Sequence, residues 1–234
     1  MENMPGCLNF KRRDTAKLMS FSIFPRTVFK TKTKINGEIV VKEQFGQYTL
    51  HVQNLIQSGG IIKEIWEKPL KQVTHNKLHV TSCLVLGLGG GTVVQLIKSH
   101  WPGAKIVGIE VDPVIVKIGK RFFGLDKIKS LEIITINAFE WIYSHFDDTY
   151  HRSEDFDLII VDMYTGYEPP YQIEEEKFLK KIKKLLSKKG LVIFNWLKGK
   201  SEKQFEKKIK KIFPAIEKIE TPTNLFFVLK LKYV

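Results

Sequence analysis

Apolar and polar positions change their period several times along the chain, and each change marks an element. Residues 1 to about 33 are basic and hold no sustained period; Phe21, Ile23, Phe24, Val28 and Phe29 are the positions there able to pack a short strand or ride on a core. From Ile35 to Ile62 short β-rich pieces, Ile39 to Glu43 and Tyr48 to Val52, are separated by Phe45-Gly46-Gln47 and followed by Gly59-Gly60. That pattern predicts a small antiparallel hairpin module. Helical spacing follows from about Ile62 to Gln72, with Ile62, Ile65, Trp66 and Leu70 on one face.

From Thr81 onward continuous apolar runs alternate with amphipathic stretches. The runs are Cys83 to Leu88, Ile106 to Glu110, Leu131 to Ile136, Phe156 to Val161 and Leu191 to Phe194; the helix-like segments are Thr92 to Ser99, Pro113 to Phe123, Phe139 to His145 and Glu174 to Ser187. Strands that are apolar throughout, alternating with helices, predict a mostly parallel sheet covered on both faces. The tail adds a helix expected to start at Ser201 as N-cap, with Gln204 completing a capping box. Two strand-like pieces follow, Ala215 to Glu220 and Leu225 to Leu231, joined by Thr221-Pro222-Thr223-Asn224 into a hairpin that closes one sheet edge. The expected organisation is a basic segment over 1–33, a β-hairpin module with its linking helix over 34–74, and one α/β domain over 75–234.

Composition narrows the class. With 234 residues and 43% hydrophobic content, the chain can bury one substantial core. Cys7 and Cys83 lie far apart and neither belongs to a CxxC or Cys/His cluster, so a reducing compartment is expected and a metal site is not. No apolar run reaches membrane-spanning length and the N-terminus lacks the order of a secretory signal, which gives a cytoplasmic location as the expectation. The formal net charge of +13 raises the question of nucleic acid. Only five of the 38 basic residues are arginines, the type suited to bidentate phosphate contacts. The lysine runs Lys177 to Lys189 and Lys203 to Lys211 interleave with Phe178, Ile182, Leu185, Phe205 and Ile209 at helical spacing, so their charges fall on solvated faces. Charge therefore supports a nucleic-acid partner only weakly.

The sharpest chemical signal is Leu84-Val85-Leu86-Gly87-Leu88-Gly89-Gly90-Gly91-Thr92, four glycines in the turn between a buried strand and a helix. Glycine permits the tight turn and lets a ligand approach the backbone. Glu110 ends the next strand about 20 residues on, where a carboxylate can accept both hydroxyls of a ribose. The spacing is Gly87-x-Gly89-Gly90-Gly91, which leaves Thr92 at the third position of a GxGxxG pattern and favours an adenosyl-methionine-type ligand over a dinucleotide pyrophosphate. Replacing Glu110 is expected to abolish cofactor binding at little cost to the fold.

Leu84 to Thr92, Gly108-Ile109-Glu110-Val111-Asp112-Pro113, Phe122-Phe123-Gly124-Leu125, Asn137-Ala138-Phe139 and Asp157 to Asp162 together resemble the spermidine synthase (polyamine aminopropyltransferase) branch of the class I AdoMet-dependent methyltransferase superfamily. Phe45-Gly46 and Leu55-Ile56-Gln57-Ser58 resemble that family's N-terminal β-module, so the similarity runs from about Ile35 to the C-terminus. The resemblance implies an α/β, Rossmann-like class I methyltransferase fold: a mostly parallel sheet with a C-terminal antiparallel hairpin and a small N-terminal β-module. It implies that Gly87, Gly89 and Gly90 line the amino-acid or propylamine end of S-adenosylmethionine or decarboxylated S-adenosylmethionine. Glu110 then holds the ribose, Asn137 and Ala138 meet the adenine, and Gln57 closes the site from the β-module. Asp162 faces the crevice, touching the cofactor and serving as the catalytic residue.

Two departures bear on the reaction. The family follows this strand with an Asp-Ser-Ser-Asp-Pro type of run, whose second aspartate serves the attacking amine; here Asp162-Met163-Tyr164-Thr165-Gly166 puts Thr165 in its place, and a threonine hydroxyl is no base at neutral pH. The acidic segment that grips a diamine is replaced by Lys63-Glu64-Ile65-Trp66-Glu67-Lys68, whose lysines repel a dication. Tyr164, Thr165 and Tyr167, with Pro169, Pro170 and Tyr171, form an aromatic, proline-rich substrate loop. The expectation is a transferase moving a methyl group ahead of an aminopropyl group. Aminopropyl transfer to a polyamine, with Glu64 or Glu67 replacing the missing base, is the alternative, and a non-catalytic adenosyl- or RNA-binding protein is the third reading. Expected partners are a small-molecule acceptor and a second copy of the chain in a homodimer, with no membrane.

Overall fold

The computed structural model describes residues 23–75, 78–144, 155–164, 166, 168–199 and 201–231. Near the N-terminus, β1 (Arg26–Thr33), β2 (Gly37–Gln44), β3 (Gln47–Val52) and β4 (Leu55–Ser58) form an antiparallel four-stranded sheet in chain order. The hairpin expected from the alternation is its centre. Phe45 and Gly46 take left-handed backbone, φ 51° and 74°, as a two-residue hairpin turn matched to strand twist requires. Two strands were not legible. Residues 26–33, grouped by their basic composition with the N-terminal segment, make an edge strand in which Lys30 and Lys32 face outward, and β4 is only four residues long.

Helix α1 (Ile61–His75) leads into a seven-stranded sheet built from β5 (Ser82–Leu86), β6 (Lys105–Glu110), β7 (Leu131–Thr135), β8 (Phe156–Val161), β9 (Leu186–Leu197), β10 (Ala215–Glu220) and β11 (Asn224–Lys230). Its order is β10-β11-β9-β8-β5-β6-β7; β5 to β9 run parallel, and the β10–β11 hairpin joins β9 antiparallel at the edge predicted for it. The connecting helices are α2 (Thr92–His100), α3 (Pro113–Phe123), α4 (Ala138–Ser144), α5 (Glu176–Leu185) and α6 (Glu202–Lys210). One face of the sheet packs Trp141, Phe178 and Phe205 from α4, α5 and α6, and the other packs Trp66, Val94 and Ile97 from α1 and α2. The strand order reverses at β5, which places a crevice at the carboxyl ends of β5, β6 and β8.

Helix α3 joins the two sheets. Asp112 caps its first turn by accepting from the Val114 N–H, Pro113 supplies a preset φ at the first helical position, and Gly124 ends it in left-handed backbone. Its Ile115 and Ile118 then fill the small sheet's inner face against Ile39, Val41 and Leu50.

Two expectations are corrected. Ser201 is not a side-chain cap: it adopts left-handed backbone (φ 56°) with its carbonyl accepting the Gln204 and Phe205 N–H groups, and Glu202 accepts from the Gly199 N–H just ahead of the helix. The helix expected over Glu174 to Ser187 stops at Leu185, because Leu186 already pairs with Phe156 and opens β9. The His145 end of α4 lies outside the described residues.

Candidate active site

The turn after β5 is held from three sides. Gly87 (φ 88°) packs so closely beneath the chain after β8 that a Cβ would strike the Asp162 carbonyl oxygen, and a Cβ on Gly90 would come within 2.8 Å of the Ser58 Cβ. These two glycines are required by protein neighbours, Asp162 and Ser58. Ser58, buried at the end of β4, accepts from the Gly90 N–H at 2.7 Å and donates to the Gln57 carbonyl; beside it the Gly59 N–H reaches the Thr92 hydroxyl at 2.8 Å. The small sheet thus clamps the glycine turn.

Glu110 closes the turn's other flank. It is 9% exposed, and its two oxygens accept the Gly89 N–H and the Asp112 N–H, each at 3.0 Å. Burial pushes its carboxyl above the usual carboxylate range, against the opposing pull of the Asp112, Gly89 and Val111 amides. Two further amides of the turn are engaged, Gly87 to the Ile109 carbonyl and Gly91 to the Leu88 carbonyl. With the N–H groups of its four glycines already bonded within the protein, the turn offers few donors to an anion. This agrees with the argument from spacing against a pyrophosphate.

Between the turn and the small sheet lies a cavity of about 180 Å³. Gln57, Gly87, Gly89, Glu110, Asn137, Ala138, Asp162 and Tyr164 all line it, whereas Gly90 sits behind the wall against Ser58. Thr165 and Tyr167 lie outside the described residues. Among the described lining residues the charged groups are Glu110 and Asp162, on the strand ends flanking β5, with no lysine, arginine or histidine. The Asn137 side-chain oxygen accepts from the Phe139 N–H at 2.8 Å and the Glu140 N–H at 3.4 Å, capping α4, so much of its accepting capacity is already engaged.

Asp162 keeps some exposure as a residue, but its carboxyl is enclosed: burial pushes it up to about 6, held back by hydrogen bonds from Asn195 and Trp66. The Asn195 amide donates to it at 2.8 Å, and the Trp66 indole, buried on α1, donates to it as well. Tyr164 donates its hydroxyl to the Asn195 carbonyl at 2.9 Å; burial and the Asp162 charge push that phenol up. Neither acid proposed to replace the missing base is available. Glu64 is exposed, and Glu67 turns to Lys71 and His100, because α1 directs Trp66 to the site. Tyr171 is 73% exposed and does not line the cavity, although Pro170 does.

Ser58, Asp112, Trp66 and Asn195 escaped the sequence reading. Asn195 carried a signal, a lone polar residue inside Leu191-Val192-Ile193-Phe194-Asn195-Trp196. The others looked like ordinary turn or core residues.

A doubly wound sheet with its cavity at the reversal of strand order, bounded by a glycine turn and an acid on the neighbouring strand, defines the Rossmann-like fold of class I AdoMet-dependent transferases. Residues 65–228 match the spermine/spermidine synthase domain, and the chain belongs to that family. Over 149 residues it is 27% identical to the eEF1A lysine and N-terminal methyltransferase homolog of Drosophila melanogaster, covering 62% of this chain and 22% of that protein. Over 135 residues it is 26% identical to the polyamine aminopropyltransferase of Chromobacterium violaceum, covering 57% of this chain and 48% of that one. The chain thus spans between about a fifth and a half of the length of these curated relatives. Human methyltransferase-like protein 13 in complex with SAH superposes with a TM-score of 0.64 at 22% identity, over 74% of this chain and 83% of that one. A spermidine synthase bound to the transition-state analogue AdoDATO gives 0.67 at 14% identity, over 88% and 74%. These two likenesses establish the fold.

Proposed function

We propose that the chain is a transferase that binds S-adenosylmethionine or a related adenosyl cofactor in this cavity and moves a methyl group to a small-molecule acceptor. The observation that carries the reading is the pairing of Glu110 and Asp162 on the strands flanking β5: one is fixed by the glycine turn, the other enclosed beside Asn195 and Trp66. The cofactor supplies the electrophilic carbon. Glu110 meets the ribose hydroxyls with the accepting capacity that its backbone donors leave, and Asn137 and Ala138 meet the adenine at the start of α4. Gly87, Gly89 and Gln57 bound the far end. Asp162, mostly ionised at neutral pH, takes the acceptor's proton, and Tyr164 walls the acceptor side. One carboxyl on that side, with no second acid from α1, suits a nucleophile carrying a single cationic or neutral group better than a diamine.

Aminopropyl transfer is the second reading, and one observation favours it. Among the described residues the cavity wall carries two acids and no basic side chain, and the glycine amides of the turn are engaged, so a cofactor carboxylate finds no cationic partner among them. Calorimetric titration separates the two. Methyl transfer predicts one-to-one binding of AdoMet at least as tight as that of its decarboxylated form. A preference for the latter by about tenfold or more, roughly 1.4 kcal/mol, moves the assignment to aminopropyl transfer. No binding of either, or of adenosylhomocysteine, removes the enzyme reading. The proposal also carries a homodimer and a cytoplasmic setting, the latter in keeping with a buried, unpaired Cys83.

A further inference from the structure

Three neighbouring strands break their apolar alternation near the same end of the sheet and on the same face. On β8, Leu158 and Ile160 point into the core shared with α1 and α2, and Asp162 takes the next position in that row. On β9, Leu191 and Ile193 lie in the same core, followed by Asn195; on β11, Val228 and Phe226 lead to Asn224. Ile160 stands opposite Ile193, so Asp162 comes level with Asn195, while Asn224 pairs with Leu197 and stands diagonal to Asn195, which itself faces Phe226. The three polar side chains then bond in one direction. The Thr223 hydroxyl donates to the Asn224 side-chain oxygen, the Asn224 amide donates to the Asn195 oxygen at 2.8 Å, and the Asn195 amide donates to Asp162 Oδ1 at 2.8 Å. Flipping Asn195 would set its NH2 against that of Asn224 and its oxygen against a carboxylate, so each amide has one permitted orientation. Asn224 is only 6% exposed, and leucine would fill such a position at less desolvation cost.

We infer that Asn195 is the positioning residue of this site, its amide locked by Asn224 so that the Asp162 carboxylate is held in one orientation toward the cavity. The inference rests on the reading of Asp162 as the group that takes the acceptor proton. A chain of donors all aimed at one carboxylate strengthens each bond along it and favours the charged form. Around Asp162 the neutral groups are Trp66 from α1 and Asn195 from β9. The titratable ones among the described residues are Tyr164 on its own loop, Glu168 beyond it and Glu110 across the cavity.

The test reads Asp162 directly by carbon-13 NMR titration of side-chain carboxyls in the ligand-free protein, the resonance being assigned by its loss in Asp162→Asn. The wild-type midpoint is expected near pH 6. Asn195→Ala should raise it by about one unit. Asn224→Ala, which leaves the Asn195 bond in place but frees its amide, should raise it by less, and in turnover should lower kcat with KM unchanged. Midpoints unchanged in both folded variants would overturn the inference, and Asn224→Ala keeps the test open if Asn195→Ala does not fold. Failure of the wild type to bind AdoMet in calorimetry would count against the functional reading instead, leaving the titration result to stand by itself.

Discussion

At the residue scale, the acids of the cavity serve structure and chemistry together. Glu110 accepts two backbone N–H groups from a buried position, so its removal strands both donors. Glu110→Ala should therefore abolish cofactor binding and also lower stability by about 1–3 kcal/mol, read by urea denaturation. This differs from what the sequence suggested, that the acid could be removed at little cost to the fold; a stability equal to wild type would show that the turn does not depend on the carboxylate. Asp162 behaves in the opposite sense. Its folded pKa of about 6 lies above the ordinary value of 3.8, so the folded state binds the extra proton. Its contribution is fully present below about pH 4 and is lost as pH rises through about 6. Asp162→Asn should flatten that part of the stability profile while abolishing turnover, and an unchanged profile would mean that the carboxyl is not enclosed.

At the element scale, the small sheet is part of the site because Ser58, Thr92 and the Asp112 cluster tie it to the large one. Asp112 accepts from the Thr33 hydroxyl at 2.6 Å and the Asn36 amide at 2.8 Å while capping α3. Asp112→Ala should cost about 1 kcal/mol for the cap alone. It should also raise hydrogen exchange in β1, β2 and the first turn of α3 ahead of β5 and β8; uniform exchange would contradict this coupling. The alternation of strands and helices was legible because continuous apolar runs and helical spacing are local signals, and the glycine turn with Glu110 was legible because both lie at element ends. What escaped was contact over long sequence separations. Ser58 reaches Gly90 across 32 residues and Asn195 reaches Asp162 across 33, and no local pattern encodes either. The capping box at Ser201 failed for the converse reason: its local signal was present, but the chain enters α6 in left-handed backbone.

At the scale of the whole molecule, positive charge and the cavity are separate. The lysines of α5 and α6 lie opposite their buried stripes of Phe178, Ile182, Phe205 and Ile209, several paired along their own helices, as Lys180 is with Glu176 and Lys210 with Glu206. The cavity wall is acidic. Reversing Lys184, Lys203 and Lys207 to glutamate should leave cofactor affinity within about twofold of wild type at physiological salt, where such distances are screened. A tenfold change would mean that the lysine faces contribute to the site. Among the described residues no helix is long and apolar enough to cross a membrane.

The central claim is that the glycine turn and Glu110 cradle one nucleoside, and a crystal of the protein soaked with adenosylhomocysteine tests it most directly. The account predicts difference density for the adenosine in the cavity between Gly89 and Asn137, with the ribose hydroxyls on the Glu110 carboxylate. Ligand density elsewhere, or a Glu110 that meets no ligand atom, would contradict it.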